Sequence, residues 1–268
     1  MNRITIACLA STLLVCFCVR TLSAEDKPSV PLITLKLDDL GHHSKDPQVA
    51  VPPHWQRVTD FLNEEKIKAN YGIISETLND DCPAYIAWLK ERAASGMIEF
   101  WNHGYYNRFP SENPSAKIGE YLNRPVEQQA ESLKKSQELV KEKTGIEMKA
   151  FGPHAIQPDA NFYPALATRP EIQVVFFYGP PKDVKTGKIL IERRAELESP
   201  IFKPNPAQLK EKWEKLKSFD YLAVQGHPNT WGDAEFANFK EYIKFLKEQG
   251  CRFVTVSEFL TLTGKAKP

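Results

Sequence analysis

The stretch Leu32-Ile33-Thr34-Leu35-Lys36-Leu37-Asp38-Asp39-Leu40-Gly41 decides how this chain reads. A run rich in Leu, Ile and Thr has the composition of a strand, and it ends in two adjacent carboxylates and a glycine. Consecutive strand side chains point to opposite faces. At a strand's end that alternation relaxes, and both carboxylates can turn toward one pocket. Two like charges so close make double ionisation costly. A cation relieves that cost: one Asp can hold a metal while its neighbour takes a proton from water. The plainer alternative is that one Asp caps the next turn and the other is solvated.

Downstream, strand and helix signals alternate. Trp55, Val58, Phe61 and Leu62 recur at helical spacing and predict a helix over 53–66. Residues 69–74 read as a strand, 83–95 as a helix closed by Gly96, and 97–101 as a strand. A helix is expected over 125–144, stopped by Gly145, then a short strand at 149–151 and a short helix over 159–168. The β-forming run 172–178 reads as a buried strand. The stretch 179–206, rich in Pro, Lys and Glu, reads as a loop or short hairpin. A helix over 206–218, a strand at 221–225, a helix over 235–249 and a strand at 252–256 complete the series, with Ser257 expected to cap a last helix. About seven alternations predict an α/β fold with a parallel sheet and crossover helices. With so many units in one domain, a closed or nearly closed barrel is favoured.

In such a barrel the chemistry sits at the C-terminal ends of the strands. Here those ends carry Asp38 and Asp39, then His103, His154 and His227. His103 and Asn107 are four residues apart, so on a helical turn both could reach one metal; an Asn ligand suits harder cations. His227, between Gly226 and Pro228, can protonate a leaving group near neutral pH. For His154, metal ligand, substrate contact and loop filler remain open. His42 and His43 are expected to be solvated. Tyr105, Tyr106 and Trp231 are candidates for a substrate groove, whereas Trp101, inside a strand, is expected in the core. Arg193 and Arg194, in a loop, could touch an anionic substrate.

Composition narrows the class further. Lys and Arg number 35 and Asp and Glu 34, with no basic stripe, which does not suggest nucleic acid. Met1-Asn2-Arg3 precedes an apolar run from Ile4 to Val19, and Ala24 follows at a small-residue site. Residues 1–24 therefore read as a secretory signal peptide, and the protein as secreted or periplasmic with no span in its mature chain. Residues 25–31 read as a linker, 32–263 as the barrel and 264–268 as a tail. Cys82 and Cys251 remain after cleavage; they can be paired or two buried thiols.

The motif order resembles that of the polysaccharide deacetylase family, also called the NodB-homology or carbohydrate esterase family 4 group. Its opening Thr-Phe-Asp-Asp strand reads Lys36-Leu37-Asp38-Asp39 here. Its His-x-x-x-His motif reads His103-Gly104-Tyr105-Tyr106-Asn107. Its Arg-x-Pro motif reads Phe151-Gly152-Pro153-His154, with Gly152 where Arg would align. Its Asp-Trp segment is missing at Tyr178-Gly179-Pro180-Pro181, and its Leu-x-His reads Gln225-Gly226-His227. The resemblance spans roughly residues 32–260 and implies a distorted (β/α)7 barrel that hydrolyses an N-acyl group, such as acetyl, on an amino sugar of a glycan. It implies Asp38 as general base, Asp39, His103 and Asn107 as ligands of a divalent metal (zinc expected), and His227 as general acid. It also implies that the groups tuning Asp38 and His227 are absent or come from elsewhere. The alternative is a barrel of the same fold that binds glycan without hydrolysing it.

Overall fold

In the computed structural model of the chain, the described residues are 30–110, 118–154, 157–181 and 184–265. The expected signal segment 1–24 lies outside them, with most of the linker. The strands are β1 (Leu32–Leu40), β2 (Ala69–Ile73), β3 (Ile98–Asn102), β4 (Ala150–Phe151), β5 (Val174–Phe176), β6 (Ile189–Ile191), β7 (Tyr221–Gly226) and β8 (Arg252–Phe253). The helices are α1 (Pro53–Glu64), α2 (Pro83–Ala94), α3 (Val126–Thr144), α4 (Phe162–Ala167), α5 (Pro206–Leu216), α6 (Asp233–Glu248) and α7 (Val256–Leu262).

All strand pairs are parallel, in the order β6-β5-β4-β3-β2-β1-β7. β8 pairs with the first residues of β1, on the edge whose later residues pair with β2. A bridge from Arg193, just past β6, to Ala223 of β7 brings the sheet's two edges together, so the barrel is nearly closed. β6 departs from the loop or short hairpin expected over 179–206, since it pairs with β5 in parallel. Three residues of a Pro- and Lys-rich stretch carry too short an apolar signal to be read, and pairing with β5 supplies what local pattern lacks. The last helix is also capped two residues earlier than expected, by Thr255 rather than Ser257: the Thr255 hydroxyl accepts from the Glu258 N–H, and the Glu258 side chain accepts from the Thr255 N–H.

Strand alternation separates two cores. From β1 and β2, Ile33, Leu35, Leu37, Tyr71 and Ile73 face the outer helices and meet Trp55, Leu62 and Trp88. The other face of β1 carries Thr34, Lys36 and Asp38 into the barrel, all buried. Inside it, Trp101 packs with Val174, Phe176, Ile191 and Ala223, and Phe259 and Leu260 of α7 join the same cluster. Glycine makes room for the indole: a Cβ on Gly72 would lie 2.3 Å from the Trp101 ring. Cys82 and Cys251 are both free thiols and buried. Among the described residues, no helix is long and apolar enough to cross a membrane.

Candidate active site

The two carboxylates share a pocket because β1 breaks its own alternation. Asp39 has a φ of 66°, left-handed backbone that a non-glycine residue rarely adopts, and the β1–β2 register shifts between Leu37 and Leu40. This twist at the strand end turns Asp39 to the side that Asp38 already faces. Such strain costs on the order of 1–3 kcal/mol and persists where the surroundings hold it.

Two imidazoles converge on one oxygen of Asp39. His103 Nε2 lies 3.0 Å from Asp39 Oδ1, and His154 Nε2 lies 3.4 Å from the same atom. One atom from each of the three lies within 4.8 Å of the others. His103 Nδ1 donates to the Gly152 carbonyl at 2.7 Å, which fixes the ring and aims Nε2 at Asp39. With that tautomer, Nε2 and the carboxylate oxygen are two lone pairs at contact, and either protonation or a shared cation must separate them. Ligand atoms around a tetrahedral zinc stand about 3.3 Å apart, so two imidazoles and a carboxylate at these distances fit a divalent metal. Burial alone would raise the Asp39 pKa; the His103 hydrogen bond and the nearby imidazoles instead hold it well below the usual carboxylate range. Burial, with repulsion from His103, pushes His154 down, which favours the neutral imidazole a metal needs.

Beside this cluster stands a second one. Lys36 Nζ lies 2.5 Å from both oxygens of Asp38, and Gln225 Nε2 donates to Asp38 Oδ2 at 2.6 Å. The ammonium sits 4.3 Å from the centre of the Trp101 ring. A Cβ on Gly152 would lie 3.3 Å from Lys36 Cε, so the absence of a side chain at 152 leaves the space that Lys36 fills. His227 Nε2 is 3.9 Å from Asp38 Oδ2, and its Nδ1 donates to Glu198 Oε2 at 2.6 Å. Glu198 Oε1 also accepts from the His227 backbone N–H and the Trp231 indole N–H, both at 2.8 Å. Burial pulls the His227 pKa down, but the bond to Glu198 and the charge of Asp38 outweigh it, and the net pKa is raised. Lys36 and Glu198 are the groups the sequence reading left unassigned. Lys36 left a signal, a lysine in an apolar strand two residues from Asp38 and therefore on its face. Glu198 left none, since a loop glutamate has no periodicity to betray it.

The cleft over both clusters measures about 420 Å3. Asp38, Asp39, His103, His154 and His227 all line it, with Phe176, Phe177, Tyr178 and Phe202 as its aromatic walls. Several expectations fail here. Asn107 does not line the cleft. Residues 103–107 form no helical turn, because Gly104 takes a φ of 95° and buried Glu120 accepts the N–H groups of Tyr105 and Tyr106. The Asn107 N–H instead donates to Glu76, and His154 stands beside Asp39 and His103. Tyr105 is buried, its hydroxyl accepting from Asn79, with the Lys135 ammonium over its ring. Trp231 is fully buried against Phe239. Neither can stack on a substrate in this arrangement. His42 is not solvated; it is buried and stacked on Tyr85, while His43 is exposed.

No protein-family model and no curated protein matches this chain. Solved structures do. A family 4 acetyl xylan esterase from Clostridium thermocellum, in complex with a cobalt ion, is 17% identical with a TM-score of 0.58, over 88% of this chain and 93% of that one. The peptidoglycan deacetylase PdaC from Bacillus subtilis is 15% identical with a TM-score of 0.52, over 90% and 94%. A family 4 pseudoenzyme from Bacillus anthracis is 14% identical with a TM-score of 0.56, over 87% and 66%. The likeness expected from the motif order therefore holds for the fold: this chain carries the (β/α)7 barrel of the family 4 carbohydrate esterases.

Proposed function

We propose that this protein is a secreted hydrolase that removes an N-acyl group, such as acetyl, from an amino sugar in a glycan. One observation carries the reading: Asp38 and His227, each with its own buried partner, line a single cleft with the Asp39–His103–His154 cluster. A divalent metal, with zinc the best match to two imidazoles and a carboxylate, would be held by Asp39, His103 and His154, and when bound it polarises a carbonyl and lowers the pKa of water.

The chain's own groups do the rest. Asp38 accepts the proton of the attacking water through an oxygen held in place by Lys36 and Gln225. His227 has its Nδ1 fixed by Glu198, so Nε2 is the position that holds a proton toward the cleft. Its raised pKa keeps that proton available near neutral pH for the departing amine. Phe176, Phe177 and Phe202 wall the cleft in which the amide would lie. The rival reading, a barrel that binds glycan without cleaving it, is favoured by one feature: both oxygens of Asp38 are already hydrogen-bonded.

The deciding experiment incubates the purified protein and zinc with an N-acetylated oligosaccharide and measures free acetate. Release above that of the Asp38→Asn variant is expected. Binding of the oligosaccharide without release would establish the rival. Export through residues 1–24 is checked by N-terminal sequencing of the protein from its native host, expected to begin near Glu25.

A further inference from the structure

The cleft does not end at His227. Arg193, Ile201, Gln225 and His227 also line a neighbouring hollow of about 210 Å3. That hollow shares Arg193, Ala195 and Glu196 with a third, of about 340 Å3, bounded by Lys212 and Lys215 of α5. The three adjoin one another as a trough, and Arg193 lines all of them.

The charge in this trough is unbalanced. Arg194 is taken up by Asp220 and Glu192, and Glu198 by His227 and Trp231. In the two hollows beyond the cleft, Glu196 is the remaining acid. Against it stand Arg193, Lys212 and Lys215, none of which has a carboxylate within 4.0 Å among the described residues. Arg193 is also held in place. Its guanidinium lies 4.6 Å from the Phe177 ring centre and donates to Gln225 Oε1, while Gln225 donates to Asp38. A fixed guanidinium presents a planar fork suited to a carboxylate or sulfate. Exposed lysines contribute little singly, but several lining one trough raise the local concentration of an anionic ligand.

We infer that the trough from His227 past Arg193 to α5 is a binding site for an acidic glycan, one whose sugars carry carboxylate or sulfate groups next to the N-acylated residue. This rests on the reading of the cleft as a deacylation site and specifies its substrate class. A nucleic acid is the less favoured polyanion, because basic residues outnumber acidic ones in the chain by only 35 to 34 and His227 lines both the trough and the proposed deacylation cleft.

The test titrates the whole protein with three N-acetylated oligosaccharides of equal length at low and high salt. One is neutral (chitin-type), one alternates with uronic acid (hyaluronan-type) and one is sulfated (chondroitin sulfate-type). Oligothymidylate serves as the non-glycan polyanion. The uronate or the sulfated chain should bind at least about tenfold tighter than the neutral one, with the advantage lost at high salt; which of the two leads identifies the anion. Lys212→Glu with Lys215→Glu should remove about tenfold of that preference, whereas Lys134→Glu with Lys143→Glu on α3, the same charge change elsewhere, should not. Equal binding of neutral and acidic chains, equal effects of the two double variants, no binding of any glycan, or oligothymidylate binding as tightly as the acidic chains would each overturn the proposal. Acetate release is read separately: acidic preference without release refutes deacylation alone, and release without acidic preference refutes the acidic site alone.

Discussion

Lys36 and Asp38 leave the same face of β1 two residues apart, and the lysine ammonium lies 2.5 Å from each carboxylate oxygen with both side chains buried. The cation beside the candidate base thus comes from the base's own strand. Burial lowers the Lys36 pKa and Asp38 offsets this only in part, so the net pKa is lowered and the ammonium depends on its carboxylate partner. Lys36→Met keeps the apolar stem of the side chain, one atom shorter, and removes its charge. It should cost about 3–5 kcal/mol, the scale for breaking a buried ion pair, and lower acetate release at least about a hundredfold. Chemical denaturation and turnover check both. A stable and active Lys36→Met protein would show that Asp38 does not depend on this partner.

In the candidate metal cluster His154 stands as close to Asp39 as a ligand would, beside His103. His154→Ala and His103→Ala should each weaken zinc binding by more than about a hundredfold, above the 10–100-fold typical of losing a group behind the ligands. Asn107→Ala should leave it unchanged. Competition with a chromogenic chelator reads all three. A zinc loss in Asn107→Ala comparable to that in His103→Ala would restore Asn107 to the ligand set.

In the proposed reaction His227 must be protonated to act as an acid, so its raised pKa should set the alkaline limit of activity. Glu198→Gln removes the negative charge that raises it. The alkaline limb of kcat/KM should then move to lower pH by about one unit, with the acid limb unmoved. An unchanged alkaline limb would separate His227 from proton transfer.

Glu120 is buried beneath the segment after β3, and burial raises its pKa from 4.5 to about 7 despite three hydrogen bonds donated to it. Between those two values the folded chain holds more protons than the unfolded one. Stability should therefore fall as pH rises through that window, by an amount on the order of 3 kcal/mol. Glu120→Gln should flatten this slope in melting temperatures taken from pH 4.5 to 8. Identical slopes in the two proteins would place the titration elsewhere.

The sequence alone determined the barrel and the chain order of its chemical groups. Alternation of period 2 and period 3.6 is a local property, and strand-end residues such as Asp38, His103 and His227 are legible because the fold puts every strand end on one rim. Tertiary structure decided which groups share a partner. A left-handed Asp39 brings two neighbouring carboxylates together, and Gly104 unwinds the turn that would have aligned Asn107 with His103. The empty side of Gly152 admits Lys36, and Glu198 reaches His227 across 29 residues. Each of these depends on backbone twist or on packing between distant segments, and neither is encoded in residue spacing. Tyr105 and Trp231 make the same point from the other side: an aromatic ring suits a sugar and a core equally, and only burial tells which it serves.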